Sequence, residues 1–107
     1  MRPHLEALGK YKHSNQISSR KISEEILLVP IRTSPQQKLG IYTLNHTASV
    51  IWELFDGNRN LSEVIDAISD RFEVDQKRAS TDVKKVCRDL LRIGAIEAVE
   101  QDLNIHP

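Results

Sequence analysis

The sequence has only one cysteine, four glycines and few aromatic residues among its 107 positions. The single cysteine, Cys87, rules out a disulfide within the chain and fits a reducing compartment. So few glycines leave little room for a glycine-rich phosphate loop, and no Gly-x-Ser-x-Gly segment is present. No apolar run approaches the roughly 20 residues that a membrane-spanning helix needs. Arg2 is not followed by an apolar segment, so we expect no secretory signal peptide, a cytoplasmic location and no membrane contact.

The chain carries no net charge, but its charges are unevenly distributed. Residues 1–23 carry a net charge of +4, because Glu6 opposes five cations: Arg2, Lys10, Lys12, Arg20 and Lys21. The remainder therefore sums to −4. Two interpretations stay open, a polar N-terminal arm and a basic arm that contacts an acidic partner.

Short apolar segments in the first half of the chain predict three strands. The clearest, residues 25–32, contains Ile26-Leu27-Leu28-Val29, and Pro30 marks its end or an edge because proline cannot donate to a ladder. A strand over residues 16–23 precedes it. After a polar connection over residues 33–39, a third strand spans residues 40–44. Three strands in succession predict an antiparallel meander.

Helix signals follow directly. The first helix begins after Asn45, a good N-cap, and ends at Gly57. The second begins at Asn60, which forms a capping-box pattern with Glu63, and the third begins near Asp75. Each predicted helix has one apolar stripe; the stripes comprise Ala48, Ile51, Trp52 and Phe55; Leu61, Val64, Ile65, Ile68 and Phe72; and Ala79, Val83, Val86, Leu90 and Ile93.

These elements predict an α+β fold that resembles a winged helix-turn-helix, with a three-stranded antiparallel sheet followed by three helices. We expect one domain over residues 16–99, whose last residues, 95–99, are an extended tail. Residues 1–15 are expected to form a flexible arm, and residues 100–107 a loose tail.

The residues that could carry catalysis are scattered. No histidine has metal-ligand spacing to another histidine, cysteine or carboxylate; the four are His4, His13, His46 and His106. We expect His46 to face solvent beside the first helix cap. Cys87 lies next to the core stripe of the third helix, where packing is the expected role because no histidine is placed nearby to activate it. The sequence therefore predicts a non-catalytic protein without cofactor or metal.

Two binding functions remain. A winged-helix DNA-binding regulator is the alternative interpretation, since the third helix has a net charge of +4. However, its basic residues spread around the helix, and the acidic preceding helices would weaken a phosphate-binding field, so nucleic acid is not the favoured partner. The favoured function is peptide binding, in which a strand edge supplies main-chain hydrogen bonds and a neighbouring helix supplies side-chain contacts.

For the helix side, Leu91 is informative because it follows Leu90 and cannot share its direction into the core. Leu91 belongs either to a wide apolar face of the helix or to a peptide-binding groove that Cys87 also lines. In the second case Lys84 and Arg88 would lie at the rim of the groove, where their positive charge suits an acidic peptide. The predicted peptide-binding residues are Leu39, Gly40, Ile41, Tyr42, Thr43, Lys84, Cys87, Arg88 and Leu91. A third interpretation is an interaction module that forms a homodimer through the open edge.

Several segments together resemble one family: Leu44-Asn45, Thr47-Ala48, Ile51-Trp52-Glu53-Leu54, Asp56-Gly57, Glu63-Val64-Ile65, Asp82-Val83, Leu90 and Gly94-Ala95-Ile96. In order and spacing they are similar to the PqqD-like family, over about residues 16–99. Members of this family are the peptide-recognition elements of pathways in which ribosomally synthesised peptides are modified.

The resemblance implies a fold of three strands and three helices and a role as a peptide chaperone in natural product biosynthesis. It further implies that the leader segment of a precursor peptide adds as a strand between the third strand and the third helix. The partner would be a modifying enzyme, often a radical S-adenosylmethionine enzyme. The long link over residues 33–39 departs from members that serve pyrroloquinoline quinone synthesis, so the general role is implied and not the pathway.

Overall fold

The computed structural model describes residues 5–31 and 40–99. In the described ranges, no helix is both long enough and apolar enough to cross a membrane. The elements, in chain order, are β1 (Tyr11–His13), β2 (Ile17–Ile22), β3 (Glu25–Pro30), β4 (Tyr42–Leu44), α1 (His46–Leu54), α2 (Leu61–Phe72), α3 (Gln76–Arg92) and β5 (Ile96–Ala98).

Strands β2, β3 and β4 form an antiparallel sheet in chain order, which confirms the predicted meander. Leu28 of β3 pairs with Tyr42 of β4, and Ile26 pairs with Leu44. Cross-strand partners share a face of the sheet, so these four side chains point the same way. Ile26, Leu28 and Leu44 are buried, and this face packs against the helices.

The helices begin where side-chain caps satisfy their first backbone N–H groups. The Asn45 side chain accepts from the Ala48 N–H at 2.9 Å, and the Asp75 side chain accepts from the Arg78 N–H at 2.8 Å. At α2, Asn60 and Glu63 form both bonds of the capping box, each 2.8 Å long. All three helix starts were predicted, because a cap depends on residues within one turn.

The core joins the inner face of the sheet to the apolar stripes of the helices. The predicted stripe residues that are buried are Ile51, Trp52 and Phe55 of the α1 region; Leu61, Val64, Ile65 and Ile68 of α2; and Ala79, Val83 and Leu90 of α3. Cys87 is also in this core. Ala48, Phe72, Val86 and Ile93 are partly buried and pack against its margin.

The N-terminal segment differs from the prediction of a flexible arm over residues 1–15. Within it, β1 pairs antiparallel with β5, and Tyr11 is only 5% exposed. The Gly57 N–H donates to the Tyr11 carbonyl oxygen, and the Leu61 N–H donates to the Gly9 carbonyl oxygen, each at 2.8 Å. The strand was missed because three residues are too few to show an alternating pattern and its partner lies at the far end of the domain. Residues 1–4 and the predicted tail, 100–107, lie outside the described residues.

Candidate functional site

Strand β4 has one partner strand in the part of the chain that the structure describes. It pairs with β3 along one side, and no strand among residues 5–31 and 40–99 pairs with its other side. Unpaired N–H and C=O groups on such an edge can hydrogen-bond an added strand. The position of β4 is constrained by α1, which begins two residues after it, and by Ser49, whose hydroxyl donates to the Leu44 carbonyl oxygen at 3.1 Å.

A concave space of about 340 Å³ lies between the β4–α1 segment and α3, and we call it the β4–α3 groove. Its lining comprises Tyr42, Thr43, Leu44, Asn45, Thr47 and Ala48 on one side and Asp82, Lys85, Val86, Asp89 and Leu90 on the other. A smaller hollow of about 110 Å³, which also contacts Tyr42, is lined by Ile17, Leu28, Pro30, Gly40, Ile41, Tyr42 and Ile93. Tyr42 therefore separates two concave sites along one strand.

One face of α3 borders both of these sites. The groove is lined by Asp82, Val86 and Asp89, and the hollow is lined by Ile93, just past the helix end. In chain order these four residues are separated by four, three and four positions. Residues at such spacings lie on one helix face. From Asp82 to Ile93 the rise is about 16 Å, the length of about five residues of extended peptide. The bordering surface therefore suits a short extended segment.

The two carboxylates on this face form ion pairs with cations of the same helix, one of which, Lys85, also lines the groove. Asp82 contacts Arg78 at 3.8 Å, and Asp89 contacts Lys85 at 3.7 Å and Arg92 at 3.2 Å. The side chains of these three cations are all largely exposed, so each pair contributes little to stability, about 0–1 kcal/mol. A ligand cation could therefore exchange with them at low cost.

The structure brings some of the predicted strand residues to these sites. Tyr42 and Thr43 line the groove, and Gly40 and Ile41 line the smaller hollow. Ile41 is 63% exposed, and a Cβ added at Gly40 would meet nothing within 4 Å. Leu39 lies outside the described residues.

The helix side requires a correction. Cys87 is 0% exposed, so its side chain packs in the core and does not line the groove. Lys84, Arg88 and Leu91 are not in the groove lining either. Each residue of a helix is rotated by about 100° from the one before it. The side chains of Lys84, Arg88 and Leu91 are therefore rotated by roughly 140–160° around the α3 axis from that of Val86, onto the opposite flank. The periodicity located the centre of the buried stripe, but it could not tell which of its two flanks faces β4.

Burial also determines the chemistry of Cys87. Desolvation raises the pKa of its thiol to about 12, although the positive charge of Arg88 acts in the opposite direction. A thiolate is the reactive form of cysteine, and at neutral pH this thiol stays protonated. The expected packing role is consistent with this burial.

The histidines in the described ranges contact aromatic residues. The His13 ring stacks on Trp52 with ring centroids 3.6 Å apart, and its Nε2–H donates to the Trp52 carbonyl oxygen at 2.7 Å. His46, which we expected to face solvent, is half-buried with its ring at an angle of 74° to that of Phe72. Residues 5–31 and 40–99 contain no group of three or more histidine, cysteine or carboxylate side chains placed to hold a metal.

The groove residues that the sequence did not predict are Leu44, Asn45, Thr47 and Ala48 on the β4–α1 side and Asp82, Lys85, Val86, Asp89 and Leu90 on α3. A signal for part of this set was present. Val86 and Ile93, which belong to the predicted apolar stripe of α3, lie on one flank of the helix, and Leu91 lies on the other flank. Apolar residues therefore mark both flanks. Choosing between the flanks requires the position of β4.

These elements define an α+β domain with three helices and a three-stranded antiparallel sheet, whose outer strand β4 has one side unpaired among residues 5–31 and 40–99, beside the β4–α3 groove. Residues 25–96 match the family model described as coenzyme PQQ synthesis protein D. The match spans more than half of the chain, and the chain therefore belongs to this family, as the sequence predicted.

One solved structure, that of TbiB1 in complex with the TbiA(beta) leader peptide, matches this chain with a TM-score of 0.69 and 24% sequence identity. The match covers 84% of this chain and 99% of TbiB1. At this level of identity the likeness shows a shared fold. No curated protein sequence gives a significant match to the chain.

Proposed function

We propose that this protein binds the leader segment of a ribosomally synthesised precursor peptide and presents it to a modifying enzyme. The observation that carries the proposal is the unpaired side of β4 beside the β4–α3 groove, within the described residues. Membership of the coenzyme PQQ synthesis protein D family supports it. So does the leader peptide that accompanies TbiB1, a protein of the same fold.

In the proposed complex the leader adds to the sheet beside β4. Its backbone would pair with β4, each hydrogen bond contributing a net 0.5–1.5 kcal/mol or so. Alternate side chains would point into the groove toward Val86, which is only partly buried and so has apolar area available for burial. Ordering a flexible peptide opposes these gains by several kcal/mol, so we expect micromolar affinity, about −8 kcal/mol.

The proposed role is non-catalytic and cytoplasmic and requires no cofactor. Cys87, the one nucleophile that the sequence offered, has a buried thiol with a raised pKa. The chemistry would belong to the modifying enzyme, for which a radical S-adenosylmethionine enzyme is the candidate that the family resemblance implies. The product of the pathway is not part of the proposal.

The DNA-binding alternative has less support. A recognition helix needs unopposed cations on one outward face. The family match and the leader peptide of the TbiB1 structure favour a peptide over DNA. Among the α3 cations, Lys77, Lys84 and Arg88 form no ion pair within residues 5–31 and 40–99, whereas Arg78, Lys85 and Arg92 are each paired with Asp82 or Asp89. Carboxylates among the cations would repel the phosphate backbone.

Calorimetric titration tests the proposal directly. The ligand is the leader of a short precursor peptide sought among the neighbouring genes, and a dissociation constant in the micromolar range is expected. Absence of heat at two temperatures, together with no change in fluorescence anisotropy of a labelled leader, at about 1 mM would contradict peptide binding, because it leaves less than about 4 kcal/mol for the complex. Mass measurement with and without the leader tests the homodimer interpretation, since self-association through β4 would compete with the peptide.

A further inference from the structure

The charge of the β4–α3 groove differs from the charge that the sequence predicted. Lys84 and Arg88, expected at the rim, lie on the opposite flank of α3. The charged residues that do line the groove are Asp82, Lys85 and Asp89, two carboxylates and one ammonium group. The lining residues therefore sum to a charge of −1. Arg78 and Arg92, which pair with these carboxylates, lie outside the lining, so a peptide cation that reaches Asp82 or Asp89 from the groove competes with them.

The spacing of these residues matches that of an extended peptide. Along α3 the rise places Asp82 about 6 Å from the level of Val86, and Asp89 about 4.5 Å on the other side. In a strand, side chains two residues apart share a face and are separated by about 6.6 Å. In a peptide that runs along the α3 axis, an apolar side chain over Val86 would thus place its neighbours at positions −2 and +2 close to the levels of Asp82 and Asp89. The match holds for either direction of the peptide.

The two carboxylates differ in how readily they could bind a ligand cation. The side chain of Asp89 is 23% exposed and contacts both Lys85 and Arg92. The side chain of Asp82 is 44% exposed and its ion pair is with Arg78, at 3.8 Å, whose own side chain is 72% exposed. A long contact to an exposed cation is weak, so Asp82 is the better acceptor for a lysine or arginine of the peptide.

We propose that the β4–α3 groove selects a segment with an apolar residue over Val86 and a lysine or arginine two positions away that pairs with Asp82. This inference rests on the proposed function and adds to it the charge preference of the ligand. That preference is opposite in sign to the acidic peptide expected from the sequence.

Selection from a displayed library of random seven-residue segments tests peptide binding and the charge preference separately. The baits are the wild-type protein, Asp82→Lys, and the control Asp70→Lys, which makes the same change at an exposed α2 residue outside the groove lining. With the wild type and the control we expect enrichment of lysine or arginine two positions from an apolar residue. With Asp82→Lys, glutamate or aspartate should replace the cation.

The other outcomes are distinguishable. Apolar segments enriched without a charge preference, or with an acidic one, on the wild-type protein would overturn the inference and leave peptide binding intact. Enrichment of no segment by any bait would contradict the proposed function as well. A preference that Asp82→Lys does not change would also overturn the inference, because the cation would then bind elsewhere.

Fluorescence anisotropy then measures the size of the charge preference, as the difference in affinity between two synthetic versions of one enriched segment that have Lys or Glu at the charged position. We expect the Lys peptide to bind the wild-type protein about 3- to 10-fold more tightly, the range for exposed ion pairs when attraction is replaced by repulsion. The ratio of the two dissociation constants should decrease at higher salt, which screens the ion pair between the peptide lysine and Asp82. For Asp82→Lys the Glu peptide should bind more tightly than the Lys peptide. A ratio of one at low salt would overturn the assignment of Asp82.

Discussion

The hydroxyl of Ser49, in α1, donates a hydrogen bond to the carbonyl oxygen of Leu44, the last residue of β4, at 3.1 Å. The same hydroxyl accepts from the Ile26 N–H of β3 at 3.0 Å, and Ser49 is only 2% exposed. One buried side chain therefore links the strand with the open edge to its sheet neighbour and to the first helix. The proposed peptide edge is held in place by this link.

Replacing Ser49 with alanine should destabilise the protein by about 1–3 kcal/mol. The change leaves the Ile26 N–H and the Leu44 carbonyl oxygen buried without this partner, and an unsatisfied buried group costs about that much. Urea unfolding followed by circular dichroism measures the effect, with the exposed Ser18→Ala as the control. A midpoint unchanged from the wild type would show that the link contributes nothing.

Val86→Asp should abolish leader binding, whereas Leu91→Asp should leave it largely intact. Both residues are partly buried positions of α3, but only Val86 lines the groove. An aspartate at 86 places a charge where the peptide would bury an apolar side chain. Titration of both variants, after thermal unfolding has shown that each is folded, separates the two flanks. Binding lost in Leu91→Asp and kept in Val86→Asp would place the site on the flank that the sequence favoured.

Tyr11→Ala should reduce stability by about 3 kcal/mol, because the Tyr11 ring is buried and packs edge-on against Phe55 with centroids 5.8 Å apart. Lys12→Ala, at the exposed neighbour in β1, should change stability by less than about 0.5 kcal/mol. Denaturant unfolding of both variants compares them directly. Equal stabilities would indicate that the N-terminal segment is the flexible arm that the sequence predicted.

Cys87 should react slowly with iodoacetamide in the folded protein. Burial raises the pKa of its thiol to about 12, so at pH 8 the reactive thiolate is scarce, and the side chain is inaccessible. Stability should be constant below the thiol pKa of the unfolded chain and should fall from there to about pH 12, because only the unfolded state then loses the proton. Mass spectrometry of alkylation at pH 8, with and without urea, measures the protection. Equal rates in both conditions would place Cys87 at the surface.

Local signals in the sequence determined much of this fold. Asn45, Asn60 and Asp75 each cap a helix through a backbone N–H three residues later, and such contacts can be inferred from adjacent residues alone. The apolar run over residues 26–29 likewise predicted a strand, and the stripes of three helices specified which helix faces are buried. Family membership followed from the order of these local motifs.

Only the tertiary structure decided which elements meet across the chain. The pairing of Tyr11 with Ala98 and the bond from the Ser49 hydroxyl to Leu44 are not encoded by any periodicity of their own segments. For the site, the amphipathic pattern of α3 defined one buried stripe with two equivalent flanks. The packing of α3 against the sheet turns the Val86 flank toward β4, and this choice places carboxylates in the groove in place of the expected cations.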